Sequence, residues 1–220
     1  MAKILLRISL ALVFSVVQAL AYPQATQRYN IELQNGDLLF VGAKSEDLSG
    51  AINRVTQRET SKAFDHVALV EVFHGRIYLI HATGEKGTLR EPIGDYIQRS
   101  SSERRGLFIF RLKSDYQPCI SDAIAEAKKW LGKPYNWSYV LNDSSVYCSD
   151  LVERAFRKCH LFELEPMTFK DPETKEFDAY WVRFYDALGI PVPEGQLGCN
   201  PNGLAASDKL SIVGRLHYSD

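Results

Sequence analysis

Residue types suited to covalent chemistry are few in this chain: four cysteines (Cys119, Cys148, Cys159 and Cys199) and five histidines (His66, His74, His81, His160 and His217). A cysteine serves as a nucleophile when its thiolate is favoured, a base stands beside it, and a third group orients the base. Cys148 has the right setting. It follows the polar stretch Asn142-Asp143-Ser144-Ser145, and Leu151, Val152 and Ala155 recur behind it at helical spacing. A helix over 147–159 then starts at the thiol. Its unpaired N–H groups and dipole favour a thiolate, and the Cys148 N–H is placed to help bind an oxyanion. The plain alternative is a small buried core residue, common for a free cysteine.

The base should be a histidine. His74 falls in a predicted turn, and His217 is close to the chain end. His160 lies about 18 Å along the helix from the thiol. His66 and His81 remain. If His74-Gly75 is a two-residue hairpin loop, Phe73 pairs with Arg76, Ala68 with His81, and His66 with Thr83. Alternate strand residues share a face, so the two histidines become diagonal neighbours about 7–8 Å apart. One imidazole then fixes the tautomer of the other. The same parity turns Asp65 and Glu71 to the opposite face, making them poor orienting groups. Two structural histidines are the alternative. A metal site would need a third ligand, and no H-x-x-x-H or H-E-x-x-H spacing is present. Neither a metal nor another cofactor is expected. Asn136-Trp137-Ser138 matches a glycosylation sequon, a short pattern that arises often by chance.

The elements that must position these residues follow from hydrophobic period and turn signals. Strands are predicted over 38–41, 64–73, 76–82 and 107–112, with a closing strand over 210–216. Helices are predicted over 45–57, 120–131, 147–159 and 177–188, and the Gly-, Pro- and Asn-rich stretch 191–207 reads as loop. Strands in the middle with helices clustered after them indicate an α+β fold in one domain.

The chain has 220 residues, and its 26 basic and 27 acidic side chains give a net charge of −1. That balance points away from a nucleic-acid partner. Lys3 and Arg7, the apolar run 10–17 and Ala19-Leu20-Ala21 have the layout of a signal peptide over 1–21. A secreted or periplasmic domain over 22–220 is expected, a monomer without a stable membrane anchor after cleavage. Export permits disulfides, and one bridge sparing Cys148, such as Cys119–Cys159, is an option.

Five short motifs occur in order: Asn35-Gly36-Asp37-Leu38-Leu39-Phe40, Phe64-Asp65-His66-Val67-Ala68, Ile80-His81-Ala82-Thr83, Gly132-Lys133-Pro134-Tyr135-Asn136 and Tyr147-Cys148-Ser149-Asp150-Leu151-Val152. Together they resemble the circularly permuted NlpC-type papain-like hydrolases, which include the YiiX/YaeF-like amidases, over about residues 33 to 207. The resemblance implies a Cys148 helix packed on an antiparallel sheet carrying His66 and His81, with Cys148 as nucleophile, His66 as base and His81 as orienting group. Tyr147, Asp37 and Tyr135 are candidate substrate or oxyanion contacts. Some members carry glutamate where this chain has His81. A histidine there is similar to the lecithin retinol acyltransferase-type enzymes, and Asn136 stands where aspartate is frequent. The implied activity is amide or peptide-bond hydrolysis, on cell-wall peptide stems or related small amides. Acyl transfer or hydrolysis on lipids is the alternative, and a non-catalytic binding module with the same fold is a third reading.

Overall fold

The computed structural model describes residues 29–56 and 62–217, so the expected signal segment lies outside the described residues. Six strands form one antiparallel sheet: β1 (Leu38–Gly42), β2 (Phe64–Phe73), β3 (Arg76–Thr83), β4 (Gly87–Pro92), β5 (Leu107–Leu112) and β8 (Leu210–Arg215). Their spatial order is β4-β3-β2-β1-β5-β8. Two short strands, β6 (Glu165–Pro166) and β7 (Leu197–Gly198), pair separately. The helices are α1 (Asp47–Thr56), α2 (Ile93–Ser102), α3 (Ile120–Lys128), α4 (Cys148–Phe156), α5 (Ala179–Leu188) and α6 (Pro201–Ala205). The fold is α+β, as expected.

The β2–β3 hairpin has the predicted two-residue loop. His74 and Gly75 both take positive φ, 49° and 72°, the combination that matches the twist of paired strands. The ladder runs from Phe73↔Arg76 to Leu69↔Ile80. The expected continuation to His81 and His66 is not part of it. Beyond Leu69 and Ile80 the strands part, β3 keeping its pairing with β4 as far as Thr83↔Gly87. On its other edge β2 pairs with β1, and the register shifts between Val41↔His66 and Gly42↔Phe64. Asp65 is therefore the extra residue of a bulge, a device that bends a strand and re-aims its side chains.

Each sheet face is buried. Leu38, Phe40, Val67, Leu69, Ile80 and Ala82 pack with Leu151, Val152, Ala155 and Phe156 of α4. Leu39, Val41, Ala68, Val70 and Leu79 pack with Ile93, Tyr96 and Ile97 of α2. Burial on both faces explains the near-continuous apolar run of β2, where strict alternation would mark a half-solvated strand.

Three regions differ from the sequence expectation. Strand β4 and helix α2 were not foreseen. The stretch 191–207 holds β7 and α6, the latter capped by Asn200 Oδ1 accepting from Gly203 N–H at 2.8 Å. The predicted helix over 147–159 starts one residue later and ends in a 3-10 turn, Arg157–Cys159. Cys119 and Cys159 form a disulfide joining the start of α3 to the end of that turn. Among the described residues, the free cysteines are Cys148 and Cys199, both buried.

Candidate active site

Helix α4 delivers its first residue into the gap where β2 and β3 separate. Tyr147, extended at φ −103° and ψ 172°, turns the chain into the helix. The Cys148 Sγ lies 4.0 Å from the Asp65 carbonyl oxygen and accepts the N–H of Val67. The thiol thus rests on the two residues that flank His66. Burial pushes its pKa up to about 12, and the neighbouring Asp65 charge acts in the same direction. Bonds from Val67 and Ser149 oppose this without reversing it. Desolvation of the buried thiol thus opposes the thiolate that the helix terminus favours.

His66 and His81 meet across the gap. His66 Nε2 lies 2.9 Å from His81 Nδ1, and Tyr96 packs against both rings. His81 is fully buried, and its Nε2 lies 2.9 Å from Glu91 Oε1. Glu91 in turn accepts from Arg99 Nη2 at 2.6 Å. Burial pushes the Glu91 carboxyl up, but the bonds from His81 and Arg99 bring it down to about 2. Glu91 is therefore ionised. An ionised carboxylate only accepts, so His81 donates from Nε2 and its Nδ1 accepts from His66 Nε2–H. That leaves Nδ1 of His66 with the lone pair. Burial foremost, then the electrostatic influence of His81 and Arg105, hold the His66 pKa well below 6.5.

Glu91 was missed in the sequence because β4 was missed. Its signal was there: the turn before Gly87 pairs Thr83 with Gly87 and Leu79 with Glu91, making Glu91 the diagonal neighbour of His81. Asp65 and Glu71 do stay off the histidine pair. Glu71 is bound by Arg90 and by Lys128 of α3, and Asp65 by Arg105.

A cavity of about 330 Å³ opens beside the thiol. Tyr135, Tyr139, Tyr147, Phe169 and Trp181 form aromatic walls, and Ser149, Asp65, Thr168 and Asn200 add polar atoms. Two of the three candidate contacts sit here. Tyr135 lines the cavity with its ring 4.9 Å from Trp137. The Tyr147 hydroxyl accepts the Cys199 N–H at 3.1 Å and so pins the backbone beyond β7. A Cβ on Gly198 would stand 3.0 Å from that hydroxyl and 2.5 Å from Met167 Sδ. Asp37 does not line the cavity. It is fully buried, and its carboxylate accepts from Arg111 Nε and Nη2 at 2.7 and 2.8 Å and from Gln34 N–H at 2.9 Å. Its work is to hold the entry to β1 against β5.

Asn136 is buried and shapes the loop before α4. Its Oδ1 accepts from the Ser138 hydroxyl at 2.7 Å, and its Nδ2 donates to the Val140 carbonyl at 2.7 Å. An amide committed in this way is not a glycan acceptor. His74 sits in the hairpin turn, and His160 closes the 3-10 turn at φ 50°.

Comparison with known proteins covers nearly the same span as the sheet. The family model described as permuted papain-like amidase enzyme, YaeF/YiiX, C92 family, matches residues 32–214. A YiiX protein of Escherichia coli K12 is 23% identical over 187 residues, covering 83% of this chain and 86% of its own length. A crystal structure described as that of the metalloprotein YiiX from Escherichia coli O157:H7 superposes with a TM-score of 0.64 at 18% identity, over 84% of this chain and 98% of the other.

Proposed function

Because this chain belongs to the permuted papain-like amidase family of the YaeF/YiiX type and is by that class a cysteine hydrolase, we propose that it cleaves amide or peptide bonds through an acyl-enzyme on Cys148. The observation that carries the reading is the run from His66 through His81 to the ionised Glu91, beside a thiol that rests on the two residues flanking His66.

The reaction starts from two neutral groups. As Sγ attacks the carbonyl carbon, its proton passes to His66 Nδ1, so no separate thiolate has to form in the dry site. His66 then carries a positive charge, and the proton on its Nε2 is held by His81, whose own proton is held by Glu91. His81 and Glu91 are positioning residues: a carboxylate one imidazole removed stabilises the charge that His66 acquires. His66 returns the proton to the leaving amine as the C–N bond breaks. Water attacks the thioester, gives a proton to His66, and the S–C bond opens to restore the thiol. In this reading the Cys148 N–H at the start of α4 binds the oxyanion, with Tyr135 on the same cavity wall as a second donor.

The related crystal structure is described as a metalloprotein. Here His81 uses both ring nitrogens, and among the described residues no three His, Cys, Asp or Glu side chains are grouped to hold an ion. The chemistry is assigned to side chains throughout.

A secreted or periplasmic setting and cell-wall peptide or related small amides as substrates complete the proposal. The Cys119–Cys159 disulfide supports an oxidising compartment. The aromatic walls of the cavity favour a second reading, acyl hydrolysis or transfer on lipids. Turnover of muropeptides, small N-acyl amides and lipid esters by the wild type, Cys148→Ala and His66→Ala tests both. Cys148-dependent release of amines from peptides supports the first. Cys148-dependent action on lipid esters alone supports the second, and turnover undiminished by Cys148→Ala removes both.

A further inference from the structure

The bulge in β2 beside His66 is held by a single side chain. Asp65 is its extra residue, set between the pairs Gly42↔Phe64 and Val41↔His66. A bulge disrupts the ladder locally, so its shape needs other support. Arg105 supplies it. Its Nε and Nη2 donate to the Gly42 carbonyl at 3.1 and 2.8 Å, and Nη2 also donates to the Asp65 carboxylate. The two side chains of this ion pair are largely buried, 14% and 6% exposed. One guanidinium therefore ties the last residue of β1 to the extra residue of β2, a double task that suits its rigid fork of donors.

The fork is itself anchored. Just past α2, Arg104 takes the left-handed conformation at φ 55°, and Arg105 N–H donates back to the Ser100 carbonyl at 3.1 Å. Helix α2 also carries Arg99, which holds Glu91, and Tyr96, which packs on both histidine rings. One helix thus grips the site at two ends, the carboxylate behind His81 and the bulge against the thiol. The bulge matters to the chemistry because the Asp65 carbonyl and the Val67 N–H both meet Cys148 Sγ, with His66 between them in the chain.

We propose that Arg105 is a positioning residue of the catalytic pair: by joining the Gly42 carbonyl to the Asp65 carboxylate it fixes the bulge that aims His66 and seats the Cys148 thiol. The proposal rests on the reading of Cys148 as nucleophile and His66 as base, and deepens it. Arg105 touches neither group. It acts through the backbone of 65–67 and through its charge. The titratable groups around His66 are His81 of β3, Glu91 of β4 behind it, Tyr96 of α2, Cys148 of α4, and Asp65 beside it in β2. Arg105 is the cation set against Asp65, and it holds proton affinity at His66 down.

The test follows hydrolysis of p-nitrophenyl N-acetyl-L-alaninate across the acid limb of kcat/KM, which reports the base in the free enzyme. The variants are Arg105→Gln, Arg105→Lys, the pair Arg105→Gln with Asp65→Asn, and Cys148→Ala as control. Arg105→Gln should lower kcat by about tenfold to a hundredfold, as expected for reacting groups displaced by about 1 Å, with KM little changed. It also leaves the Asp65 charge unneutralised near His66, so the acid limb should move up by about half a pH unit or more. In the double variant the limb returns to its wild-type place while kcat stays low, since no fork holds the bulge. Arg105→Lys keeps the charge on one nitrogen, so its limb stays in place and kcat recovers only in part. Loss of Arg105 strands a buried carboxylate; if Arg105→Gln does not fold, Arg105→Lys carries the test, a lowered kcat at an unchanged melting temperature supporting the proposal. Wild-type kcat in Arg105→Lys, a kcat loss there that only tracks a lowered melting temperature, or an unmoved limb in folded Arg105→Gln overturns it. Enzyme-dependent rates that survive Cys148→Ala would instead indict the nucleophile.

Discussion

His66 takes its role from groups that it does not touch. Its own burial makes it a weak base, with a pKa well below 6.5, yet its Nε2 is tied through His81 to a carboxylate at about 2. The charge on Glu91 orders both tautomers. Glu91→Gln removes that order, because an amide can donate as well as accept. It should lower kcat/KM by about a hundredfold or more with little change in KM, as measured by initial rates. A thiol whose pKa is raised by burial has its own signature. Alkylation by iodoacetamide requires thiolate, so its rate should climb with each pH unit up to at least pH 10. A plateau from acidic pH would reveal a preformed ion pair. Slow alkylation at neutral pH is therefore not a mark of an inactive binding module.

At the level of elements, the site depends on a place where pairing fails. Strands β2 and β3 keep their ladder from the turn to Leu69↔Ile80 and then part, and α4 fills the gap with Cys148. The hairpin was legible because His74-Gly75 sets the register, and the period of Leu151, Val152 and Ala155 showed the helix face. What stayed hidden was β4 and α2, which supply Glu91, Tyr96 and Arg99. Strand β4 is six residues long with Arg90, Glu91 and Pro92 at its end, a composition that reads as loop. It is held as strand by β3 and by Thr88 N–H donating to the Lys133 carbonyl at 2.8 Å. The Asp37 expectation failed for a related reason: its partner, Arg111, lies 74 residues away, beyond any local pattern. The disulfide also acts on elements. It closes a separation of 40 residues between α3 and the end of the α4 segment. Replacing Cys119 and Cys159 by serine should lower stability by about 2–4 kcal/mol, read by denaturant melts, while kcat on a cleaved substrate stays within about twofold, since Cys148 lies at the far end of α4.

For the molecule as a whole, folding and catalysis are linked through the same protons. The folded Glu91 has its pKa depressed from 4.5 to about 2. Its contribution to stability is in full above 4.5 and is lost as pH falls toward 2. His66, depressed below 6.5, has the same sign: its contribution is in full above 6.5 and falls as acid protonates the chain. Asp150, raised to about 6 by burial although Arg154 pulls it down, acts in the opposite sense, its contribution being lost as pH rises through 6. Between pH 4.5 and 2, stability should therefore fall more steeply in the wild type than in Glu91→Gln, as measured by urea midpoints across that range. The family assignment was legible as ordered motifs, because each motif is a short local run whose order along the chain can be read directly. The bond that is cut was not legible, because the cavity walls come from segments scattered between Ile52 and Pro201. Intact-mass and peptide-level mass spectrometry after rapid acid quench with p-nitrophenyl N-acetyl-L-alaninate tests the central claim most directly. An N-acetylalanyl adduct on the peptide containing Cys148, absent in Cys148→Ala and accumulating faster than it hydrolyses, is the result predicted. Turnover of the ester with no adduct, or an adduct on Cys199 in its place, would contradict it.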